Sequence, residues 1–196
     1  MCKEPVMGRV KTRLGRDIGM PTATGAYRQM LNHVAARLSC SRRWQTLLAV
    51  APVTGIASRM LPVNLVRRSQ GPGDLGTKLQ YVVDHIGSGA IVIIGTDIPG
   101  IRVQDIEAAF RLLGSHDAVF GPAPDGGYWL VGLKRRPVLP RVFSHVRWSS
   151  PHALEDTKRN LAGRQTGEVA SHDDVDSAAD YARLAPLIGR RILPRG

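Results

Sequence analysis

The chain has 196 residues, of which 43% are hydrophobic, and it carries a formal net charge of +11 at pH 7. This length suits one domain with a substantial core, and the sequence has neither an apolar run long enough to span a bilayer nor an apolar signal region at its start. Because Cys2 and Cys40 form no C-x-x-C pair, the composition disfavours membrane and disulfide-stabilised secreted proteins and predicts a cytoplasmic one.

The positive charge comes almost entirely from arginine, with 22 Arg against 5 Lys. A basic surface attracts nucleic acid, anionic lipid or phosphorylated small molecules. The arginines are scattered, however, and the chain offers only three Phe and four Tyr for stacking on bases. We therefore favour a solvated basic surface and expect no nucleic-acid partner.

Strand and helix patterns alternate along the chain, without an internal repeat. Apolar runs bounded by turn residues predict strands at 47–53, 63–68, 90–95, 117–123 and 128–133. Apolar residues at helical spacing predict helices at 10–18, 22–38, 77–86, 106–113, 151–163 and 177–188. This alternation predicts an α/β sandwich with a mainly parallel sheet, as a single domain over 1–188 with a loosely held tail at 189–196.

The stretch KEPVMGRVKTRLG at 3–15 reads as a basic, glycine-containing loop that runs into a helix. Gly8 allows the backbone to approach a ligand closely, and Lys3, Lys11 and Arg13 supply charge for phosphate oxygens. The spacing matches neither the P-loop nor the dinucleotide fingerprint. An exposed basic helix start without a ligand remains an alternative.

The strand IVIIG is followed at once by Asp97. Open α/β sheets bind ligands at the carboxyl ends of their strands, and a carboxylate placed there can hold Mg²⁺ together with substrate phosphates. The alternative is a simple turn cap, because Asp before a Pro turn is ordinary. We favour the metal role.

Three further stretches offer candidates with structural alternatives. Asp125-Gly126-Gly127 is either a hairpin turn or a close approach to a sugar or phosphate. The glycines of QGPGDLG, around Asp74, either line a substrate site or only form turns. The acids at 173, 174 and 176 either cap a helix or supply a second metal ligand.

Taken together and in this order, these stretches resemble the bacterial radical-SAM/selenodomain-associated transferase 1 family, which has the glycosyltransferase-A (nucleotide-diphospho-sugar transferase) fold. The segments that carry the resemblance are Lys3–Leu14, Gln70–Gly76, Gly95–Pro99, Gly121–Tyr128, Trp148-Ser149, and Asp174 with Asp176. The resemblance implies a Rossmann-like three-layer sandwich that binds a nucleotide at the carboxyl edge of its sheet.

The resemblance also implies roles for individual residues. It makes Asp97 and Asp125 the catalytic candidates, and Asp97 and Asp176 the ligands of Mg²⁺ or Mn²⁺. The residues expected to contact the nucleotide or substrate are Lys3, Gly8, Lys11, Thr12, Arg13, Gly71, Asp74, Gly76, Gly126, Gly127 and Tyr128.

One departure concerns the first strand. The family pattern has an apolar strand just before Lys3, whereas only Met1 and Cys2 stand there in this sequence. We therefore expect the first strand to be missing, either because the chain is truncated at its start or because a different packing replaces the strand. Its absence from the interior of the sheet should leave an apolar slot between the helix layers and a marginally stable protein.

The leading hypothesis is a Mg²⁺-assisted transferase that uses a nucleotide donor, with glycosyl transfer from an NDP-sugar to a small acceptor. A second hypothesis is nucleotidyl transfer from an NTP to a small phosphate or acid, with release of pyrophosphate. A third is a non-catalytic basic protein that binds polyanions, or a truncated inactive relative. This third hypothesis predicts salt-sensitive binding without metal dependence.

Overall fold

The computed structural model describes residues 1–87, 89–135 and 141–188; the tail predicted at 189–196 lies outside the described residues. The strands are β1 (Cys2–Lys3), β2 (Leu47–Ala51), β3 (Val66–Ser69), β4 (Ile91–Ile94), β5 (Ala118–Pro122), β6 (Tyr128–Leu133) and β7 (Thr166–Glu168). The α-helices are α1 (Thr12–Ile18), α2 (Met20–Ser39), α3 (Leu75–His85), α4 (Val103–Leu112), α5 (Ala153–Arg159) and α6 (Ala178–Ile188). Among these helices, none combines the length and the apolar character that a bilayer crossing needs.

The strands form two sheets that differ in direction. The first has the order β1-β2-β3 and is parallel throughout. The second has the order β4-β6-β5-β7, in which β6 runs antiparallel to β4 and β5, and β7 runs parallel to β5. The predicted α/β class is confirmed, and the second sheet is mixed because β5 and β6 form a hairpin.

Helices cover both faces of the strands because successive strand residues point to opposite sides. Phe120 and Val131 pack on one side with Leu79 of α3. Val119 and Leu130, their immediate neighbours in sequence, pack on the other side with helices α2 and α4. The strands are therefore apolar on both faces, which is why the sequence runs there lack polar residues.

Helix α2 owes its position to a continuous apolar stripe. The stripe repeats every three or four residues and consists of Ala23, Ala26, Tyr27, Met30, Leu31, Val34, Ala35 and Leu38. Pro21 stands in its first turn, where the missing N–H costs no hydrogen bond. The helix thereby packs along both β1–β2 and the second sheet.

The first strand corrects one expectation from the sequence. Cys2 and Lys3 do form β1, and they pair in parallel with Val50 and Ala51 of β2, so the strand is short and not missing. The amino nitrogen of Met1 donates a hydrogen bond to the carbonyl oxygen of Ile94 in β4 at 2.8 Å. Burial lowers the pKa of this amino group. β1 therefore bridges the two sheets.

A cavity of 340 Å³ lies next to this short strand. Its lining includes Leu47–Ala49 of β2, Ile91–Ile94 of β4, Met1, and apolar residues of α2 and α3. Within the part of the chain that the structure describes, β4 has a strand neighbour only in β6, and pairing between β1 and β2 begins only at Val50. The structure thus contains an apolar slot between two strand edges.

Two of the motif glycines allow the segment 143–151 to pack closely. A Cβ atom on Gly76 would lie 2.8 Å from the carbonyl oxygen of Phe143 and 2.9 Å from the indole nitrogen of Trp148. A Cβ atom on Gly126, whose φ is +82°, would lie 2.2 Å from the carbonyl oxygen of Pro151. At both positions a side chain would collide with this segment.

We expect that a designed extension of about four apolar residues before Met1 raises the melting temperature by roughly 5 °C. Such residues would fill the slot and add hydrogen bonds to the free edges of β2 and β4. The control is a Gly/Ser extension of the same length, and the measurement is thermal unfolding followed by circular dichroism. Equal melting temperatures for the two extensions would show that the slot does not accept a strand.

The packing of Gly126 predicts a difference between two alanine variants. Gly8 also has a positive φ, +76°, but no atom lies within 4 Å of the position of its Cβ. We expect Gly126→Ala to lower the free energy of unfolding by about 1–3 kcal/mol more than Gly8→Ala, because only the first adds a collision. Urea denaturation of both variants measures this difference, and equal losses would contradict the packing argument.

Candidate active site

Residues that directly follow β3, β4 and β5 line one groove with residues of β1. The groove has a volume of 800 Å³. Lys3 comes from β1, Gln70 follows β3, Gly95–Asp97 follow β4, and Asp125 lies between β5 and β6. These side chains therefore meet at the carboxyl ends of the strands, which is the edge that the sequence analysis indicated.

The basic loop contributes part of the lining of this groove. Val10 and Leu14 are buried and anchor the loop to the core, and Lys11 between them adopts a left-handed backbone conformation with φ 44°. Lys3, Lys11, Thr12 and Arg13 all line the groove. The loop thus presents three cations to one space.

The ammonium group of Lys11 lies between two carboxylates. Its Nζ is 2.6 Å from Oδ2 of Asp97 and 2.8 Å from Oδ1 of Asp176, and only 6% of the side chain is exposed. Burial by itself would lower the pKa of Lys11, but the charges and hydrogen bonds of Asp97 and Asp176 outweigh it and raise the pKa above its ordinary value. Lys11 is therefore charged in this position.

A third carboxylate joins the same cluster. Asp97, Asp174 and Asp176 each place an oxygen so that the three atoms lie within 4.8 Å of one another. The segment that carries Asp174 and Asp176 is fixed by buried Val175, whose N–H donates to the carbonyl oxygen of Asp97 at 3.1 Å. Burial, followed by the nearby charge of Asp176, raises the pKa of Asp174 to about 6.

This donor set fits a hard divalent cation. Mg²⁺ and Mn²⁺ prefer carboxylate oxygens, and Mg²⁺ sites commonly combine one or two carboxylates with phosphate oxygens and water. The cluster already holds a cation, the Lys11 ammonium, between Asp97 and Asp176. The position between these two carboxylates therefore already accommodates a positive charge.

The hairpin turn between β5 and β6 contributes Asp125 to the groove. Oδ1 of Asp125 accepts a hydrogen bond from the N–H of Gly127 at 2.9 Å, which fixes the turn. Asp125 lines both the groove and a neighbouring pocket of 260 Å³, and Gly127 and Tyr128 line only that pocket. Burial raises the pKa of Tyr128, whose hydroxyl lies 3.3 Å from Oγ1 of Thr157.

Several residues predicted to contact the ligand are absent from the lining of the groove and the pocket. Gly8 is exposed on the loop, and Gly71 lies against the ring of Tyr81. Asp74 is the N-cap of α3 and accepts a hydrogen bond from the N–H of Thr77 at 2.8 Å. Gly76 and Gly126 pack against the segment 143–151, as described above. None of these five is among the described residues that line the groove or the pocket.

Other residues of the site were not assigned from the sequence. Gln70 is 6% exposed, and its Nε2 donates to the carbonyl oxygens of Cys2 and Ala49 at 2.8 and 2.7 Å. Thr96, Ser149 and Ser150 also line the groove. The available signal was the family resemblance, since Gln70, Thr96 and Ser149 lie in segments that carry it. Nothing local distinguishes Ser150 from an ordinary loop residue.

The fold is shared with solved structures. The chain is 25% identical to the protein from Desulfovibrio desulfuricans G20 whose crystal structure bears the description "putative nucleotide-diphospho-sugar transferase", with a TM-score of 0.79 over 95% of this chain and 94% of the other. It also shares its fold with a homologue of Mycobacterium tuberculosis rv0371c from Mycobacterium sp. strain JC1, at 16% identity and a TM-score of 0.54 over 81% and 82% of the two chains.

No curated protein shows significant similarity to the chain. The family model described as "Uncharacterized protein conserved in bacteria (DUF2064)" matches residues 33–150. That segment covers more than half of the sequence and includes β2 to β6 together with Asp97 and Asp125. The chain therefore belongs to the DUF2064 family.

Proposed function

We propose that this protein is a metal-assisted transferase that uses a nucleotide donor, and that it transfers a glycosyl group from an NDP-sugar to a small acceptor. The observation that carries the proposal is the convergence of Asp97, Asp174 and Asp176 on the groove that Lys3, Lys11 and Arg13 line. The fold shared with the Desulfovibrio protein supports the same class of donor. We also propose that the protein belongs to the radical-SAM/selenodomain-associated transferase 1 family, which its sequence motifs resemble.

The basic residues of the groove suit the diphosphate of such a donor. Arg13 is 79% exposed and contacts Asp176 at 3.3 Å, so it is free to turn toward a phosphate. Lys3 is exposed, and Thr12 adds a hydroxyl at the start of α1. Charge-assisted bonds from these groups to phosphate oxygens are the strong class of hydrogen bond.

The carboxylates would hold the metal ion. Asp97 and Asp176 are the first candidates, with Asp174 as a third ligand, and the side chain of Lys11 would leave them for the phosphate oxygens. When bound, Mg²⁺ or Mn²⁺ supplies positive charge that stabilises the diphosphate leaving group. In its absence Lys11 neutralises the same carboxylates, so the site is preorganised without a ligand.

Asp125 would act on the acceptor. In glycosyl transfer the acceptor oxygen bonds to the anomeric carbon, the bond from that carbon to the phosphate oxygen breaks, and NDP leaves with the electron pair. The proton of the acceptor hydroxyl passes to a base. Asp97 and Asp125 both border the groove and the pocket, and because Asp97 is paired with Lys11, Asp125 is the candidate base. The products are the glycosylated acceptor, NDP and a proton.

The products separate this proposal from its alternatives. Glycosyl transfer releases NDP, nucleotidyl transfer releases pyrophosphate, and a polyanion-binding protein releases neither. A thermal-shift panel of nucleotides and nucleotide sugars, with and without Mg²⁺ or Mn²⁺, identifies the donor before products are assayed. Stabilisation by DNA and not by any nucleotide would contradict the proposal.

Replacing one carboxylate should remove the metal dependence. We expect Asp97→Asn to abolish the metal-dependent part of nucleotide binding, because Asn keeps the shape of the side chain but loses its charge. Asp74→Asn is the matched control, since Asn is as good an N-cap as Asp and Asp74 does not line the site. Calorimetric titration with nucleotide, with and without Mg²⁺, measures the effect. An unchanged metal dependence in Asp97→Asn would remove this residue from the site.

Lys11→Ala should change two affinities in opposite directions. Without nucleotide, we expect Mn²⁺ to bind about tenfold more tightly, because the competing ammonium is gone. Without metal, nucleotide diphosphate should bind about tenfold more weakly, the equivalent of one charge-assisted bond. Lys3→Ala, a groove lysine without a carboxylate partner among the described ion pairs, should weaken only nucleotide binding.

Mn²⁺ electron paramagnetic resonance and nucleotide titrations measure the two effects on the same protein preparations. A DNA oligomer serves as the polyanion control, and its affinity should change little in the Lys11→Ala, Arg13→Ala double variant. Loss of DNA binding with intact nucleotide binding would favour the polyanion-binding alternative.

A further inference from the structure

The pocket beside the groove differs from it in chemical character. It has a volume of 260 Å³ and shares Asp97, Asp125, Ser149 and Ser150 with the groove. A molecule in the pocket therefore reaches these carboxylates from one side, while a diphosphate beside Lys11 reaches them from the other. Its volume lies just below the roughly 300–1,000 Å³ of pockets for drug-sized ligands, which indicates a small occupant.

The interior of the pocket is apolar. Leu79, Ile93 and Val131 contribute aliphatic side chains that are at most 6% exposed. Tyr128 and Trp129 contribute aromatic rings whose polar atoms are already paired with the protein, the hydroxyl with Thr157 and the indole nitrogen with the carbonyl oxygen of Ala170. The interior thus offers contact surface and few hydrogen-bonding partners.

Polar groups collect at the rim, and they are acidic. Asp97, Asp125 and Asp174 line the pocket, and none of the described lining residues is a lysine or an arginine. Met1 also lines it, but its amino group is buried and donates to the carbonyl oxygen of Ile94. His172 also lies on the rim, but its Nε2 is 2.9 Å from a carboxylate oxygen of Asp105. The cations of the site, Lys3, Lys11 and Arg13, all belong to the groove.

We propose that this pocket binds the acceptor of the transfer, and that the acceptor is an uncharged or cationic molecule with an apolar, ring-sized body and one hydroxyl or amino group. The body occupies the apolar interior, and the polar group faces Asp125 at the rim. A phosphate or carboxylate on the acceptor would face Asp125, which takes part in no ion pair among the described residues, whereas Asp97 is already paired with Lys11; anionic acceptors are therefore rejected. The proposal rests on the proposed transferase function, and it favours glycosyl transfer over nucleotidyl transfer to a phosphate.

The test uses three probes that share one body. These are 2-phenylethanol, 2-phenylethylamine and 2-phenylethyl phosphate, each titrated into the full chain at pH 7 without nucleotide. The readout is the set of indole N–H signals in proton–nitrogen NMR spectra, assigned by single Trp→Phe variants. Trp129 and Trp148 line the pocket, whereas Trp44 lines the cavity between β2 and β4, so each signal reports one location.

We expect the alcohol and the amine to shift the signals of Trp129 and Trp148, and the phosphate to bind at least about tenfold more weakly. Asp125→Asn should reduce this discrimination severalfold, because it removes one negative charge while Asn Oδ1 can still accept the hydrogen bond from Gly127. Asp74→Asn should leave the discrimination unchanged.

Several outcomes would overturn the proposal: tighter binding of the phosphate, a shift of Trp44 alone, or no shift of Trp148 with any probe. Shifts of the same signals by a free monosaccharide but not by 2-phenylethanol would assign the pocket to the donor sugar and also overturn it. These results are separable from the proposed function. If nucleotides and Mg²⁺ stabilise the protein while the alcohol does not bind, only the acceptor proposal fails; if the alcohol binds and no nucleotide does, the transferase assignment fails.

Discussion

One buried ammonium group joins three distant parts of the chain. Lys11 belongs to the basic loop, Asp97 follows β4, and Asp176 lies in the segment before α6. The ammonium nitrogen of Lys11 is 2.6 Å from a carboxylate oxygen of Asp97 and 2.8 Å from one of Asp176. Two carboxylates this close to each other in a partly buried place repel unless a cation lies between them. The position of the loop, of the end of β4 and of the C-terminal segment therefore depends on this contact.

The same contact explains how the site can be formed before any ligand binds. A tethered cation neutralises the carboxylates in the free protein, and a phosphate gives that cation another partner when a donor is present. Both states keep opposite charges paired, so the exchange costs less than separating charges in a low-dielectric cleft. The left-handed backbone at Lys11, held by buried Val10 and Leu14, directs the side chain to this point.

The site also depends on a very short strand. β1 is two residues long, yet it stands between β2 and β4 and carries Lys3 into the groove. Gln70 reinforces it, because its buried amide donates to the carbonyl oxygens of Cys2 and Ala49 at 2.8 and 2.7 Å. A side chain thus supplies hydrogen bonds at the place where strand pairing between β1 and β2 is limited to two residues.

Sequence periodicity located the strongly apolar elements well. β4, β5, β6 and α2 lie within two residues of their predicted bounds, because burial on one or both faces leaves a clear hydrophobic pattern in the sequence. β7 was not predicted, since TGE is short and polar and becomes a strand only by pairing with β5. β3 lies at 66–69 and not at 63–68, because its register with β2, and not its composition, decides where it begins.

By itself the sequence determined the α/β class, the basic loop, and the position of Asp97 at the end of a buried strand. The tertiary structure decided which residues share a site: Lys11 and Asp176 are 165 residues apart and yet in contact. It also decided that Asp74 caps a helix and that Gly76 and Gly126 make room for the segment 143–151. The physical reason is that a residue's type and local spacing fix its backbone preferences and its charge, whereas the partner that meets this charge or fills this space is set by packing between distant segments.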